Sequence, residues 1–228
     1  YTIISLMKIV LDFINQLSLN NNKEWFDKNK SFYQEAKHCF ETFTQQLIAN
    51  IETFDPTIRG LQVKDCTYRI YRDLRFSKDK TPYKTHIGAY ICPNGKKSGL
   101  GGYYFHLEAQ SKQYLSSHLL ASGAVCLPNN IINSIREDVF SLPNEFQSCI
   151  SNAKGWAIDS ENKMKTVPKQ FPKDAINAEY LKLKDFILSK KLDDSYVLSD
   201  NLLERVTQEF EKTMKFKEFI NRAIQAVD

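Results

Sequence analysis

The stretch YYFHLEA at positions 103–109 decides the fold class of this chain. Its side chains alternate between two faces, with Tyr103, Phe105 and Leu107 on one and Tyr104, His106 and Glu108 on the other. A period of two residues is typical of a strand that buries one face and presents polar groups on the other. We therefore predict a strand over Tyr103–Ala109 in an antiparallel sheet.

Further segments with strand character surround this stretch, namely Cys66–Phe76, His86–Cys92 and Gln113–Leu120. Turn-forming residues separate them, among them Pro82 and the glycines of Gly99–Gly102. Short strands joined by turns predict an antiparallel meander, in which one sheet face is buried and the other is free for polar groups.

Apolar residues at helical spacing flank the meander on both sides. Toward the N-terminus, Leu11, Ile14 and Leu17 predict a first helix, and a longer one runs from an N-cap at Asn22 to Asp55-Pro56. Beyond the meander, the predicted helices are Pro128–Phe140, Pro143–Ala153, Ala178–Lys191, Ser199–Met214 and Phe216–Val227, with a β excursion at Gly155–Val167. The expected fold is α+β, a central antiparallel β-meander flanked by N-terminal and C-terminal helices in a single domain over residues 1–228.

Composition narrows the cellular setting and the function classes. No stretch approaches the roughly 20 apolar residues of a membrane-spanning helix, and the five cysteines are widely spaced without a CxxC pair. We expect reduced cysteines and a cytoplasmic protein, with no membrane partner. The chain has no P-loop, no dinucleotide-binding glycine motif, no HExxH and no nucleophile elbow, so no cofactor and no metal are predicted.

The net charge of the chain is concentrated in one segment. The whole chain carries +4, and the segment from Arg69 to His86 carries six basic residues against Asp73 and Asp79. The rest of the chain is therefore balanced. Arginine presents a planar fork that suits carboxylate or phosphate, and lysine adds a mobile charge. We predict that this segment binds, or acts on, a phosphorylated or carboxylated small molecule.

The predicted ligand-binding residues are those of the segment that can hold an anion: Arg69, Arg72, Arg75, Ser77, Lys80, Tyr83 and Lys84. Candidates for acid–base catalysis are Asp73, Asp79 and, from the polar parity of the central strand, Glu108. His86, His106 and His118 are expected to approach one another on the sheet, as polar-face histidines rather than metal ligands.

Two other classes of function fit the same segment. Basic residues interleaved with four aromatic residues are compatible with nucleic-acid binding by backbone contacts and base stacking; these are Tyr68, Tyr71, Phe76 and Tyr83. Alternatively, Asp73 and Asp79 pair with neighbouring cations, and the segment is a structural or protein-interaction element held by ion pairs. The oligomeric state is open.

The segment also resembles a family signature. The run RIYRDLRFSKDKTPYK at positions 69–84 resembles the R-x-Y-R-D-x-R-F-S-x-D-K-x-P-Y-K signature of a widespread bacterial and fungal family of conserved proteins of unknown function. Asn20–Phe26 and Lys165–Pro172 resemble two further elements of that family, with Gln170 where glycine is common. The chain departs after Leu115, where the family usually has a glycine-rich strand.

The resemblance covers nearly the whole chain and implies no known activity. Its three elements predict a cleft bordered by Trp25 and Phe26, the basic segment and Lys165–Lys169. The alternative for Trp25 and Phe26, which we favour, is packing in the core.

Overall fold

The computed structural model of the protein describes residues 2–111, 114, 115 and 117–227. The helices are α1 (Ile3–Leu19), α2 (Lys23–Lys28), α3 (Lys30–Glu52), α4 (Val63–Cys66), α5 (Asn129–Ser141), α6 (Pro143–Asn152), α7 (Ala178–Leu181), α8 (Asp194–Val197) and α9 (Leu202–Gln225), with a 3-10 turn at Pro56–Ile58. The strands are β1 (His86–Ile91), β2 (Gly102–Glu108), β3 (His118–Ala124), β4 (Ala157–Ile158) and β5 (Phe186–Leu192).

Within the described residues, the strands form one antiparallel sheet in the order β1-β2-β3-β5-β4. The predicted α+β class and the central antiparallel meander β1-β2-β3 are thus confirmed, as are the strands predicted at His86–Cys92 and Tyr103–Ala109. The strand predicted over Gln113–Leu120 overlaps the start of β3, although residues 113 and 116 lie outside the described residues.

One face of β2 packs into the core, as the alternation predicts. Tyr103 and Phe105 are fully buried, and their rings contact Phe210 of α9 and Phe43 of α3 at centroid distances of 5.3 and 5.1 Å. α1 packs on α3, and α9 packs on β3, α3, α5 and α6. Among the helices of the described residues, none is both long and apolar enough to cross a membrane.

The predicted strand over Cys66–Phe76 is wrong. Cys66 ends α4, and after it only isolated bridges form, one joining Thr67 to Ala89 and one joining Tyr71 to Tyr83. Beyond these bridges, aspartate side chains bond to nearby backbone: Asp73 accepts from the N–H two residues on (3.2 Å), and Asp79 does the same (2.9 Å). Such local bonds compete with the ladder of a strand.

The predicted helix over Ala178–Lys191 is also wrong. Only α7 is helical there, and the rest becomes β5, which pairs with β3 on one side and with β4 on the other. Phe186 and Leu188 of β5 are fully buried. A short run with apolar residues fits both periods, so pairing with two strands decided the outcome.

Other differences concern where elements begin and end. The long second helix is interrupted at Asn29, which separates α2 from α3, while its predicted N-cap is confirmed because Asn22 Oδ1 accepts from Trp25 N at 2.9 Å. The helices predicted at Ser199–Met214 and Phe216–Val227 are one helix, α9, since Lys215 between them is a good helix former. The excursion at Gly155–Val167 contains only β4 and a bridge at Lys163.

Candidate functional site

The N-terminal helices and the turn between them hold the basic segment in place at Tyr83. Asn21 clamps Tyr83 through two hydrogen bonds, donating to its carbonyl oxygen (2.9 Å) and accepting from its N–H (3.1 Å). Phe26, which is buried, stacks on the Tyr83 ring at a centroid distance of 4.0 Å. The Asn20–Phe26 element therefore meets the 69–84 run, and Phe26 packs in the core.

Arg72 holds the basic loop together from inside. One guanidinium nitrogen contacts the Thr81 carbonyl oxygen and Asp79 Oδ2, both at 2.9 Å, and the other donates to Ser77 Oγ at 3.2 Å. The side chain is 24% exposed. Because acceptors of the segment itself occupy the Arg72 guanidinium group, Arg72 braces the loop between residues 72 and 81. For this residue the geometry agrees with the structural alternative stated in the sequence analysis.

The tip of the loop is paired at the surface. Arg75 and Asp73 form an exposed ion pair at 2.6 Å, and the hydrogen bonds from Arg75 lower the pKa of Asp73. Lys80 Nζ donates to the Leu74 carbonyl oxygen at 3.1 Å. Phe76, the residue after Arg75, has 94% of its surface exposed.

A cavity of about 750 Å³ lies between the basic segment, α1, α3 and the β1 edge of the sheet. Its apolar wall comes from the helices and includes Val10, Phe13 and Phe40. Six of the sequence-predicted site residues line it: Arg69, Arg72, Asp73, Asp79, Tyr83 and Lys84. Three predicted site residues are absent from the described lining, namely Arg75, Ser77 and Lys80. Trp25 and Lys165–Lys169, which were predicted to border the cleft, are absent from it as well.

The described lining of the cavity contains more cationic side chains than carboxylates. Each lining carboxylate has a cation partner: Glu41 pairs with Lys37, Asp79 with Arg72, and Asp73 with Arg75. Three lining cations form no ion pair with a carboxylate of the described residues, and these are Lys64, Arg69 and Lys84.

Lys84 and Arg69 lie close together on this wall. Lys84 Nζ donates to the Arg69 carbonyl oxygen at 2.9 Å and stands 5.6 Å from the Tyr68 ring centroid, a cation–π arrangement. Burial, and next the neighbouring Arg69 charge, lower the pKa of Lys84. Lys84 is partly buried and Arg69 is exposed, and the repulsion between these two like charges favours a negatively charged group near them.

A chain of hydrogen bonds runs along the polar face of β2 from this cavity. Tyr104, which lines the cavity, has its hydroxyl 2.9 Å from His106 Nδ1, and His106 Nε2 is 3.0 Å from Glu108 Oε2. The Glu108 N–H donates to His118 Nδ1 at 3.1 Å, and His118 Nε2 is 3.0 Å from Asp194 Oδ1.

Glu108 is buried and charged at the centre of this chain. Burial acts to raise its pKa, but hydrogen bonds from the Leu115 N–H, His106 and the Tyr114 N–H outweigh burial and leave the pKa below its ordinary value. One oxygen, Oε2, receives all three donors, while Oε1 has no hydrogen-bond partner among the described residues. Glu108 thus holds His106 in a fixed orientation.

His86 adds a further polar side chain to the cavity lining. It lies on β1 and pairs in register with Glu108 of β2. Its ring stacks on Tyr114 at 4.8 Å and contacts His106 at 5.2 Å. Burial, followed by the neighbouring His106, lowers the pKa of His86 to about 4. The imidazole is therefore neutral at pH 7.

The three histidines approach one another as expected, with His118 joined to His106 through Glu108. Within the described residues, no group of three or more His, Cys, Asp or Glu side chains could hold a metal ion. Sequence reasoning singled out Glu108 but missed Tyr104 and the role of His86. The signal that could have found Tyr104 was its shared strand parity with His106 and Glu108.

Comparison with known proteins identifies a family. The profile of a family described as conserved hypothetical proteins (DUF2461) matches residues 9–219, which is most of the chain. The chain belongs to this family. Neither the curated proteins nor the solved structures contain a match. The resemblance found from the sequence is thus confirmed at the level of a family of unknown function, and the site must be interpreted from its own geometry.

Proposed function

We propose that this protein binds a phosphorylated or carboxylated small molecule in the cavity, with the anionic group held between Arg69 and Lys84. The observation that carries this proposal is the excess of unpaired cations: the lining carboxylates each have a partner, whereas Arg69, Lys84 and Lys64 have none among the described residues. Of these cations Lys84 is partly buried, and a partly buried cation without a counter-charge is costly, so a ligand anion beside Lys84 would remove that cost.

The shape of the site supports a small molecule as the ligand. A cavity of about 750 Å³ is within the ordinary range for small-molecule sites, roughly 300–1,000 Å³. It combines an apolar helix wall with a few converging polar groups, as such sites do. The set of proposed anion-binding residues is therefore smaller than the set predicted from the sequence. Arg72 braces the segment, and Arg75, which does not line the cavity, pairs with Asp73.

The test is calorimetric titration with inorganic phosphate and propyl phosphate at two salt concentrations. Arg69→Gln and Lys84→Gln each remove one unpaired cavity cation. Lys78→Gln is the matched control, because Lys78 is an exposed cation of the same segment that neither lines the cavity nor pairs with a carboxylate of the described residues. We expect binding to weaken at least about tenfold in the two cavity variants, as for loss of a charge-assisted hydrogen bond, and to stay unchanged in the control. Equal weakening in all three variants would indicate general charge attraction and contradict the proposal.

Nucleic-acid binding is the second candidate, and a specific observation favours it. Phe76 is 94% exposed, and the Arg75 guanidinium carbon lies 5.9 Å from its ring centroid, so an aromatic surface and a cation stand together at the loop tip. Stacking of a base on Phe76 would be lost in Phe76→Ala. A fluorescent single-stranded oligonucleotide that binds wild type with a steep salt dependence, but not Phe76→Ala, would favour this candidate over the first.

A further inference from the structure

We propose that the ligand of this cavity carries hydroxyl groups beside its anionic group, and that Tyr104 and His86 accept hydrogen bonds from those hydroxyls. The inference rests on the proposed function, since it concerns the same cavity and assumes an anion at Arg69 and Lys84. It names the chemical class of the ligand: a hydroxylated phosphate or a hydroxy acid, rather than a simple alkyl phosphate or fatty acid.

The direction of the hydrogen bonds on β2 follows from Glu108. Because its carboxylate is ionised, Glu108 Oε2 accepts, and the proton of His106 must lie on Nε2. Nδ1 of His106 then carries a lone pair, and burial keeps the ring neutral by lowering its pKa. The Tyr104 hydroxyl, 2.9 Å away, must therefore donate its only proton to Nδ1.

This direction leaves the Tyr104 oxygen as an acceptor toward the cavity. A phenol has one proton to donate, and once that proton is committed to His106 the oxygen can only accept from a ligand. The oxygen lies over Gly88, because a methyl group placed there would stand 2.5 Å from it, and both Gly88 and Tyr104 line the cavity. Donation to His106, itself bonded to a carboxylate, also makes the oxygen a stronger acceptor.

His86 supplies a second acceptor on the same wall. It is held by ring contacts with Tyr114 and His106, and neither ring nitrogen forms a hydrogen bond with a described residue. A neutral imidazole presents one lone pair and one N–H. The cavity thus combines cations with one oxygen and one nitrogen acceptor, so its complement is an anion that also bears hydroxyl donors.

The experiment compares matched ligands that differ only in hydroxyl groups: glycerol 3-phosphate with propyl phosphate, and 2,3-dihydroxybutyrate with butyrate. Affinities are measured by calorimetry for wild type, Tyr104→Phe and Tyr71→Phe. The last is the control, because Tyr71 belongs to the basic segment but neither lines the cavity nor takes part in the hydrogen-bond chain on β2. Circular dichroism establishes that each variant is folded.

We expect wild type and Tyr71→Phe to prefer the hydroxylated member of each pair by at least about fivefold, as for one to two neutral hydrogen bonds. Tyr104→Phe should lose most of that preference while its affinity for propyl phosphate stays the same. Equal affinities within each pair in wild type would overturn the inference and leave the proposed function intact. Failure of inorganic phosphate and propyl phosphate to bind at all would instead contradict the proposed function. If Tyr104→Phe does not fold, the wild-type comparison alone decides.

Discussion

Phe26 and Tyr83 stack face to face, with ring centroids 4.0 Å apart and an angle of 15° between the ring planes. Phe26 belongs to α2 and Tyr83 to the basic segment, so this pair joins two segments that are far apart in the sequence. Both rings are buried, and Asn21 adds hydrogen bonds to the backbone of Tyr83. The position of the cavity's basic wall therefore depends on the N-terminal helices.

Replacement of Phe26 by alanine should strongly destabilise the protein. A buried phenylalanine that is removed leaves a cavity, and such substitutions cost about 3–5 kcal/mol of unfolding free energy. Phe76→Ala is the control, because Phe76 is 94% exposed and its removal leaves no cavity. Urea unfolding followed by circular dichroism measures both. A cost for Phe26→Ala no greater than that of Phe76→Ala would contradict the anchoring role of the stack.

Arg72→Lys should loosen the basic loop although the charge is retained. A lysine cannot reproduce the fork that contacts Thr81, Asp79 and Ser77 at once. We expect a loss of about 1–3 kcal/mol, as for a broken partly buried network, and faster hydrogen exchange at the backbone amides of the loop. Arg75→Lys should leave both quantities nearly unchanged, since Arg75 is exposed and pairs only with Asp73 at the surface.

His86 should make the protein less stable in acid. Its pKa is about 4 in the folded state, below the ordinary 6.5, so between these values the unfolded chain binds the proton more readily. Stability from this group is therefore full above pH 6.5 and is lost as the pH falls toward 4, by up to about 3 kcal/mol. The charged or titratable groups that act on it are His106, Lys84, Glu108 and Arg72.

The measurement for His86 is the unfolding free energy at pH 7 and pH 5 in wild type, His86→Leu and His38→Leu. His86→Leu should show a smaller loss on acidification than wild type, because the group that gains a proton on unfolding is gone. His38 is exposed on α3, so its variant should follow wild type. The same pH dependence in all three proteins would show that His86 is not the titrating group.

The parts of the fold that could be predicted are those fixed by local pattern. The alternation of Tyr103–Ala109 gave β2 and its two faces, and the N-cap at Asn22 is decided by neighbouring residues. β5 could not be predicted, because its strand state depends on pairing with β3 and β4. Elements of this kind take their structure from partners distant in sequence.

The candidate site was likewise only partly predictable from the sequence. The sequence located an excess of positive charge in Arg69–Lys84, and part of that segment does line the cavity. It could not separate Arg72, which braces the loop, from Arg69, because the two differ only in which acceptors the folded loop brings near. Tyr104 was missed because a tyrosine on a strand is usually packing, and its bond to His106 requires the rotamers of both side chains.

Gly88 gives a direct test of how tightly the Tyr104 hydroxyl is placed. Gly88 lies opposite His106 on β1, and a methyl group there would stand 2.5 Å from Tyr104 Oη and 2.7 Å from the ring carbon Cε2. Contacts this short require the Tyr104 ring to move, so Gly88→Ala should cost about 1–3 kcal/mol of unfolding free energy through overpacking.

A double-mutant cycle separates this clash from a general effect on β1. In a Tyr104→Ala background the ring is absent, so Gly88→Ala should cost little, and the two substitutions should be coupled by at least about 1 kcal/mol. Additive costs would mean that Gly88→Ala acts on the strand itself and that Tyr104 is not held over Gly88. Coupling, together with loss of preference for hydroxylated anions in Gly88→Ala, would tie the position of this one oxygen to ligand selection, because the substitution displaces the acceptor and leaves Arg69 and Lys84 in place.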